Sequence, residues 1–323
     1  TQGVNLLQDD SGRVSGLRVL GPEGFEDIAG NSVVLASGGF EANAEMRCRY
    51  IGPGWEMVKV RGVPYNTGDG IRMALDIGAQ SHGHWSSCHA VAWDMNAPAF
   101  GDRIITELFQ KHSYPFGLIS NINGERFLDE GYDFRNYTYV TYGRALMTQP
   151  QGLAFQIFDE KVKHLLRDEY WIPQTTMAQA DTIEELATRL DIDPEGLAGT
   201  IKEYNAAVRT DIPYNATVKD GRCTEGLAVN KTNWAETIDT PPYYGWAVTT
   251  GISFTFGGVK INTRGQVVTN SQEPIPGLYA AGEMVGGLFY YNYPGGSGLS
   301  AGMVFGRLSG TSAAEDAMKL KDL

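Results

Sequence analysis

Three short segments of this chain end in small residues just where an apolar strand or a turn stops. They are VVLASGG at residues 33–39, TGDG at residues 67–70 and GLYAAGE at residues 277–283. Glycine lets the backbone approach another group closely. One such segment is typical of an ordinary turn. Three of them in one chain favour an α/β domain in which strand ends contact a large planar or phosphorylated cofactor.

Composition narrows the class of protein further. The chain has 323 residues, of which 42% are hydrophobic, enough for a sizeable core. Its formal net charge of -12 argues against a partner such as nucleic acid, which needs a basic face. It contains no run of about 20 apolar residues that would span a membrane. The three cysteines lie far apart without metal-ligand spacing, so we expect a reduced, cytoplasmic setting.

The pattern along the chain predicts two domains. Strand-like, glycine-rich segments occupy residues 1–85 and return over residues 245–323, whereas residues 86–244 mix aromatic residues, charges and helical patterns. In the first part we expect a β-meander and, at SVVLASGGF, a central strand. In the middle part Asp181 is a candidate helix N-cap. The prediction is one α/β domain in two parts, interrupted by an inserted α+β capping domain.

Glycines recur at every fourth position near the end of the chain. Gly298, Gly302, Gly306 and Gly310 share one face of a predicted helix. Each glycine in a helix costs about 1 kcal/mol relative to alanine. We expect the last three to give a flat face that packs close to the sheet.

The order of motifs along nearly the whole chain resembles the FAD-dependent fumarate reductase/succinate dehydrogenase flavoprotein superfamily, and within it the tricarballylate dehydrogenase branch. The motifs are VVLASGGF, NTGDGIRMALDIGA, INGERFLDE, PYY, GGVKINTRGQVV, PGLYAAGE and NYPGGSGLSAGMVFGRLSG. The family's N-terminal βαβ unit, which holds the FAD pyrophosphate, has no counterpart here. The resemblance therefore implies a truncated FAD-binding domain that holds FAD weakly or not at all.

Positions that would contact FAD follow from the resemblance. In the family, the loop before the last helix lies along the flavin, so free backbone N–H groups at Gly298 and Leu299 would stabilise negative charge there. The full expected set is Ser37, Gly38, Gly39, Asp69, Glu283, Ser297, Gly298 and Leu299.

The resemblance also implies two catalytic residues. His89 matches the family's active-site histidine, and Arg135 matches its proton-transfer arginine, each with a one-residue difference in spacing. An arginine holds its proton up to a pKa above about 12, so it needs a neighbour that relays the proton. We expect that neighbour among Asp129, Glu130 and Asp133. His82 and His84 form a His-x-His pair, but no third ligand has fitting spacing, so no metal site is expected.

Two departures from the family pattern concern the substrate. Ser253 and Phe254 stand where fumarate reductases carry a histidine, and Tyr293 stands where they carry an arginine. Both missing residues clamp a dicarboxylate, which makes fumarate and succinate poor candidates. We place Ser253, Phe254 and Tyr293 in the substrate site. A tyrosine before Pro-Gly also resembles the ketosteroid branch, where it polarises a carbonyl.

These features predict an FAD-dependent dehydrogenase that desaturates a C–C bond beside a carboxylate, of the tricarballylate to cis-aconitate type. The expected partner is then a small carboxylate substrate. An electron-acceptor protein at the membrane is a further possible partner that the sequence does not decide. One alternative is an enzyme similar to 3-ketosteroid Δ1-dehydrogenase. The other is an inert fragment or interaction module, since the pyrophosphate-binding unit is absent.

Overall fold

A computed structural model describes residues 1–320 of the chain. Its strands are β1 (Gln2–Gln8), β2 (Val14–Gly21), β3 (Gly24–Ala29), β4 (Val33–Leu35), β5 (Lys59–Val60), β6 (Ser81–Asp94), β7 (Leu118–Ser120), β8 (Ala154–Phe158), β9 (Met177–Ala180), β10 (Tyr243–Val259), β11 (Gln266–Val268) and β12 (Pro274–Ala280). Its α-helices are α1 (Ala44–Met46), α2 (Asp69–Asp76), α3 (Arg135–Ala145), α4 (Ile183–Arg189), α5 (Pro194–Ala207) and α6 (Ser297–Lys319).

The chain divides into two compact units. Unit 1 comprises Thr1–Met57, Val63–His89 and Ser253–Leu323, and unit 2 comprises Val58–Gly62 and Ala90–Ile252. The chain leaves unit 1 within β6 and returns to it within β10. Two long strands therefore continue from one unit into the other, which is why the change in composition at residues 86 and 245 does not coincide with these borders.

Unit 1 contains two three-stranded sheets. The first is the antiparallel meander β1-β2-β3, in the place where the alternating pattern predicts one. The second has the order β11-β12-β4, with β12 antiparallel to β11 and parallel to β4. The expectation of a central strand at SVVLASGGF is wrong within residues 1–320, because β4 pairs only with β12 there and Val34 is 40% exposed.

The core of unit 1 brings the small-residue segments together. Leu35 and Phe40 pack in one apolar cluster with Ile71, Leu278 and Met284. These residues flank VVLASGG, TGDG and GLYAAGE, so the strand ends of β4 and β12 and the start of α2 lie around the same core. Each Å² of apolar surface buried in such a core contributes about 25 cal/mol to folding.

Unit 2 is built on the first half of β10. The strands β8 and β9 pair with its Tyr243–Val248 part, β7 pairs with β8, and β5 pairs with Gly251 and Ile252. Helices α4 and α5 pack on this sheet through Leu186, Leu197 and Ile201. The N-cap of α4 is Thr182, whose hydroxyl accepts from Glu185 N at 3.1 Å, and not Asp181.

Helix α6 begins at Ser297 as the glycine pattern suggests, but its glycines do not face the sheet. A Cβ atom built on Gly302, Gly306 or Gly310 would meet no atom within 4 Å in the described part of the chain. The sheet-facing residues are instead Ser309 and Ala313, which are buried. Ser309 Oγ donates to Ala280 O at 2.8 Å. The expected close packing through the glycine row is therefore wrong for residues 1–320.

Among the helices of residues 1–320, none combines the length and the apolar composition needed to cross a bilayer.

Candidate functional site

Tyr293 lies at the centre of an aromatic cluster in unit 1. Its ring stacks on His89 with centroids 4.5 Å apart and the planes 8° from parallel. Phe289 and Phe254 lie 4.7 Å and 5.5 Å from the same ring. The tyrosine is only 7% exposed. The structure thus brings together three residues expected in the active site, His89, Phe254 and Tyr293, in mostly apolar surroundings.

The Tyr293 hydroxyl is held at the start of α6. It accepts a hydrogen bond from Gly298 N at 2.7 Å, and a Cβ atom on Gly298 would overlap this hydroxyl. The expectation of a free N–H group at Gly298 is therefore wrong. The first N–H groups of a helix lack partners inside the helix, and here a side-chain oxygen satisfies one of them. Gly298 therefore holds the Tyr293 side chain in place, through its N–H group and through the absence of a side chain of its own.

Ser253 carries a buried hydroxyl close to this cluster in sequence. Its Oγ atom is buried and has no hydrogen-bond partner within residues 1–320. Buried polar atoms almost always find a partner, so such an atom calls for an explanation. A polar group of a bound molecule would supply one.

Glu283 lies where β12 ends, beside the segment that follows β4. Its Oε1 accepts from Thr255 N at 2.7 Å and from Thr255 Oγ1 at 3.1 Å. A Cβ atom on Gly39 would overlap both Thr255 Oγ1 and Glu283 Oε1. Gly39 is therefore required for the packing of the chain on itself. Burial, and next the nearby Glu41 carboxyl, raise the pKa of Glu283 well above its ordinary value.

Ser37 and Asp69 line a cavity of about 810 Å³ within unit 1. Asp69 is the first residue of α2, and its Oδ2 accepts from Thr67 Oγ1 at 2.8 Å and from Gln2 Nε2 at 3.0 Å. A Cβ atom on Gly70 would overlap Ser37 Oγ, so the helix start lies against the end of β4. No arginine or lysine belongs to the residues that line the cavity.

These residues suit part of a dinucleotide. A hydroxyl and a carboxylate beside a large cavity can hydrogen-bond ribose or ribityl hydroxyls. Ser37 and Asp69 lie at this cavity, and Glu283 lies near it in the same unit beside Gly39. The lining offers no cation for a pyrophosphate. Ser297 and Leu299 are not among the lining residues, and their expected contact with FAD stays a prediction.

Arg135 belongs to unit 2, where it is the first residue of α3. Its Nη1 lies 3.4 Å from His112 Nδ1. His112 Nδ1 in turn lies 4.0 Å from Glu169 Oε1, and the same carboxylate oxygen accepts from His112 N at 2.7 Å. His112 and Glu169 are 3% and 2% exposed. Arg135 thus contacts a titratable residue, His112, whose Nδ1 atom also lies near the buried Glu169 carboxylate.

The acidic residues expected to serve Arg135 have other partners. Glu130 is fully buried and pairs with Arg126 at 2.5 Å. Asp129 accepts from Gly131 N at 2.9 Å and from Thr232 N at 3.0 Å. Asp133 lies 3.4 Å from Lys219. Their nearness in sequence does not bring them to the guanidinium, so that expectation is wrong.

The sequence reasoning missed His112 and Glu169. No motif marks them, and 23 residues separate His112 from Arg135. They become neighbours of Arg135 only through contacts between distant segments of unit 2. His82 and His84 have structural surroundings: the His84 ring stacks on Tyr290 with centroids 5.4 Å apart, and His82 packs against Gly287.

Comparison with known proteins identifies the family. The FAD binding domain family matches residues 1–299. The fumarate reductase (cytochrome) of Shewanella frigidimarina is 29% identical over 321 residues, which are 99% of this chain and 52% of the relative. A 3-oxosteroid 1-dehydrogenase of Mycobacterium tuberculosis is 29% identical over 317 residues, which are 90% of this chain and 54% of the relative. The chain spans about half the length of these curated relatives.

Solved structures agree on the fold. The open conformation of a flavocytochrome c3 fumarate reductase superimposes with a TM-score of 0.72 at 29% identity, covering 98% of this chain and 52% of that one. A 3-ketosteroid Δ1-dehydrogenase from Sterolibacterium denitrificans gives a TM-score of 0.72 at 24% identity, covering 98% and 59%, and this likeness shows the fold alone. The chain belongs to the FAD-dependent fumarate reductase/succinate dehydrogenase flavoprotein family.

Proposed function

We propose that the chain belongs to an FAD-dependent oxidoreductase that desaturates a C–C bond beside a carboxylate. The observation that carries this proposal is the contact between Arg135 Nη1 and His112 Nδ1, with the Glu169 carboxylate 4.0 Å from the same ring nitrogen. Bound FAD would be the acceptor of a hydride from one carbon of the substrate. The chain must then remove a proton from the neighbouring carbon, which requires a positioned acid–base group.

Arg135 and His112 can move that proton within unit 2. A guanidinium keeps its charge at ordinary pH, so it acts in proton transfer only when a neighbour takes the proton from it. His112 Nδ1 lies at 3.4 Å from Arg135 Nη1, close enough for such a transfer after a small movement. The Glu169 carboxylate favours the charged imidazolium that results.

FAD would be held by Ser37, Asp69 and Glu283 in unit 1. Gly298 would act through Tyr293, whose hydroxyl it binds. We expect residues 1–323 alone to hold FAD weakly, because the cavity lining contains no arginine or lysine for the pyrophosphate. Equilibrium dialysis of the purified chain against FAD measures this directly. Tight stoichiometric binding would contradict it.

A tricarboxylate is the substrate that we propose first. Ser253 and Tyr293 present hydroxyls, and the Ser253 Oγ atom is buried without a partner within residues 1–320. These positions hold neither the histidine nor the arginine of the dicarboxylate clamp, which argues against succinate, and the preference for tricarballylate rests on the resemblance of the NYPGGSGL segment. The electron acceptor, including a protein at the membrane, stays open.

A ketone substrate is the second candidate. A hydroxyl that accepts from the start of a helix donates its own proton more readily, and Tyr293 is such a hydroxyl. The surrounding rings of Phe254 and Phe289 suit an apolar ligand. This arrangement supports a reaction similar to that of 3-ketosteroid Δ1-dehydrogenase.

One experiment separates these proposals. The natural protein, loaded with FAD, is mixed without oxygen with tricarballylate, succinate or a saturated 3-ketosteroid, and loss of the oxidised flavin absorbance is followed. Loss with tricarballylate alone supports the first proposal, and loss with the steroid alone supports the second. A protein that shows no flavin absorbance after loading would indicate an interaction module instead.

A further inference from the structure

A buried carboxyl group, that of Glu41, and a half-buried one, that of Glu283, lie beside the Gly38–Gly39 segment in unit 1. Glu41 is 2% exposed, and its Oε1 accepts from Asn66 Nδ2 at 2.5 Å. Its other oxygen, Oε2, is buried and has no hydrogen-bond partner within residues 1–320. The Glu283 Oε1 atom lies against Gly39 and accepts from Thr255 N at 2.7 Å. A Cβ atom on Gly38 would overlap the Asn66 amide that holds Glu41, and one on Gly39 would overlap Glu283 Oε1, so the two carboxyls lie at adjacent glycines and act on each other's pKa.

Two ionised carboxylates would repel each other strongly in such a place. Carboxylates in contact cannot both keep their charge when water is excluded, and one then retains a proton. That proton would also give Glu41 Oε2 the partner it lacks. Burial is the main cause that raises the pKa of Glu283, and the Glu41 carboxyl is the second. Burial also raises the pKa of Glu41.

The other groups around the pair do not neutralise it. Arg47 is the cation that faces Glu41, but its guanidinium donates to the backbone oxygens of Glu41, Trp55 and Glu56. Burial lowers the pKa of Arg47, and Cys88 faces it from β6. Asn66 and Thr255 are neutral donors from the loop before α2 and from β10. No neighbouring group therefore replaces the proton between the carboxyls.

We propose that Glu41 and Glu283 share one proton at neutral pH, and that this proton holds the Glu283 carboxyl beside Thr255 as part of the FAD site. Glu41 is then a positioning residue for Glu283. The role toward FAD rests on the proposed function, whereas the shared proton rests on the geometry of the two carboxyls.

Infrared spectroscopy tests the proton directly. At about pH 7 an ordinary glutamic acid is ionised, so the C=O stretch of a protonated carboxyl in the wild-type chain would reveal the pair. We expect this band to disappear in Glu41→Gln and in Glu283→Gln and to persist in the control Glu45→Gln, an exposed residue of the same segment. Absence of the band in the wild type, or its persistence in both pair variants, overturns the proposal.

The pH dependence of unfolding gives a second test. A group whose pKa is raised in the folded state keeps its proton there, while the unfolded chain releases it. Stability then falls as pH rises from about 4.5 to the pKa of the pair, with a tenfold larger unfolding constant for each pH unit and proton. We expect a smaller slope in Glu41→Gln, since the amide N–H replaces the proton and does not titrate. An equal slope in this variant and the wild type contradicts the shared proton.

FAD titration tests the positioning role. Glu41→Gln keeps a donor toward Glu283 and should keep the affinity, whereas Glu41→Ala should weaken FAD binding by up to about tenfold, the loss of one hydrogen bond. Equal affinity in all three proteins overturns the positioning role. If the wild type binds no FAD, the proposed cofactor site fails, and the infrared band still decides the shared proton.

Discussion

The Tyr293 hydroxyl accepts a hydrogen bond from the Gly298 backbone N–H at 2.7 Å, so a side chain five residues before the glycine covers the start of α6. This contact ties the aromatic cluster of unit 1 to the positive end of a long helix. It decides what Tyr293 can do. The hydroxyl engages one lone pair in this bond.

The substitution Tyr293→Phe removes this hydroxyl with little change in shape. On a ketone substrate we expect a loss of about 2.7–4 kcal/mol of transition-state stabilisation, the size found for an oxyanion donor. On a tricarboxylate we expect about 0.5–1.5 kcal/mol, the size of an ordinary hydrogen bond. The ratio kcat/KM on both substrates measures the difference, with the exposed Tyr290→Phe as control. A large loss on tricarballylate would contradict the first substrate proposal.

The substitution Arg135→Lys tests proton transfer. Lysine keeps the charge but lacks the planar fork that reaches both substrate and His112. We expect FAD content to be unchanged and turnover to fall by about 10²-fold or more. Arg189→Lys is the control, because Arg189 lies on α4 and pairs with Glu185 at the surface. Wild-type turnover in Arg135→Lys would remove this residue from the reaction.

His112→Gln examines the neighbour of Arg135. Glutamine fills similar space and can hydrogen-bond, but it cannot accept a proton from the guanidinium. We expect turnover to fall while thermal stability changes little, and the pH profile of kcat to lose the ionisation that histidine contributes. A pH profile identical to that of the wild type would show that His112 has only a structural role.

The substitution Glu130→Gln tests whether Glu130 has a structural or a catalytic role. Glu130 is fully buried, pairs with Arg126, and accepts from Ile119 N at 2.8 Å. Breaking a buried ion pair typically costs about 3–5 kcal/mol. We expect urea unfolding to show a loss of this order and turnover per folded molecule to stay unchanged. Glu125→Gln, at an exposed position nearby, serves as control, and a specific fall in turnover would return Glu130 to the relay.

Lys111 makes the free energy of unfolding change with pH in the alkaline range. Burial lowers its pKa from 10.5 to about 8, with Asp94 opposing the shift. Between about pH 8 and about pH 10.5 the unfolded chain would bind more protons, so this residue makes stability rise with pH by about 1.4 kcal/mol per unit. The similarly buried Lys231 acts in the same direction.

The variant Lys111→Met should therefore show a weaker rise of stability across this range. At neutral pH the variant loses the donor to Glu169 O at 2.9 Å, a cost of about 1–3 kcal/mol, but also loses a buried charge, so its stability there should change less than its pH slope. Urea unfolding at several pH values measures both effects, with the exposed Lys202→Met as control. An unchanged pH slope would show that Lys111 titrates normally in the folded chain.

Much of the local structure could be predicted from the sequence because it depends on near neighbours. The alternating apolar residues of β1 and β2 pair around a short turn, and α6 starts at the Pro-Gly-Gly segment. The family motifs singled out Ser37 and Asp69, which line one cavity in unit 1, and their contact with FAD stays a prediction. Each of these outcomes follows from residue pattern, turn chemistry or a motif a few residues long.

Contacts between distant segments were decided only by the tertiary structure. Arg135 meets His112 and not the nearby acids, because Glu130 is drawn to Arg126 and Asp133 to Lys219. Glu41 meets Glu283 because the parallel pairing of β4 with β12 brings their ends together. A sequence shows which groups can ionise or donate. The fold determines which of them share a buried place, and burial sets the strength of their interaction.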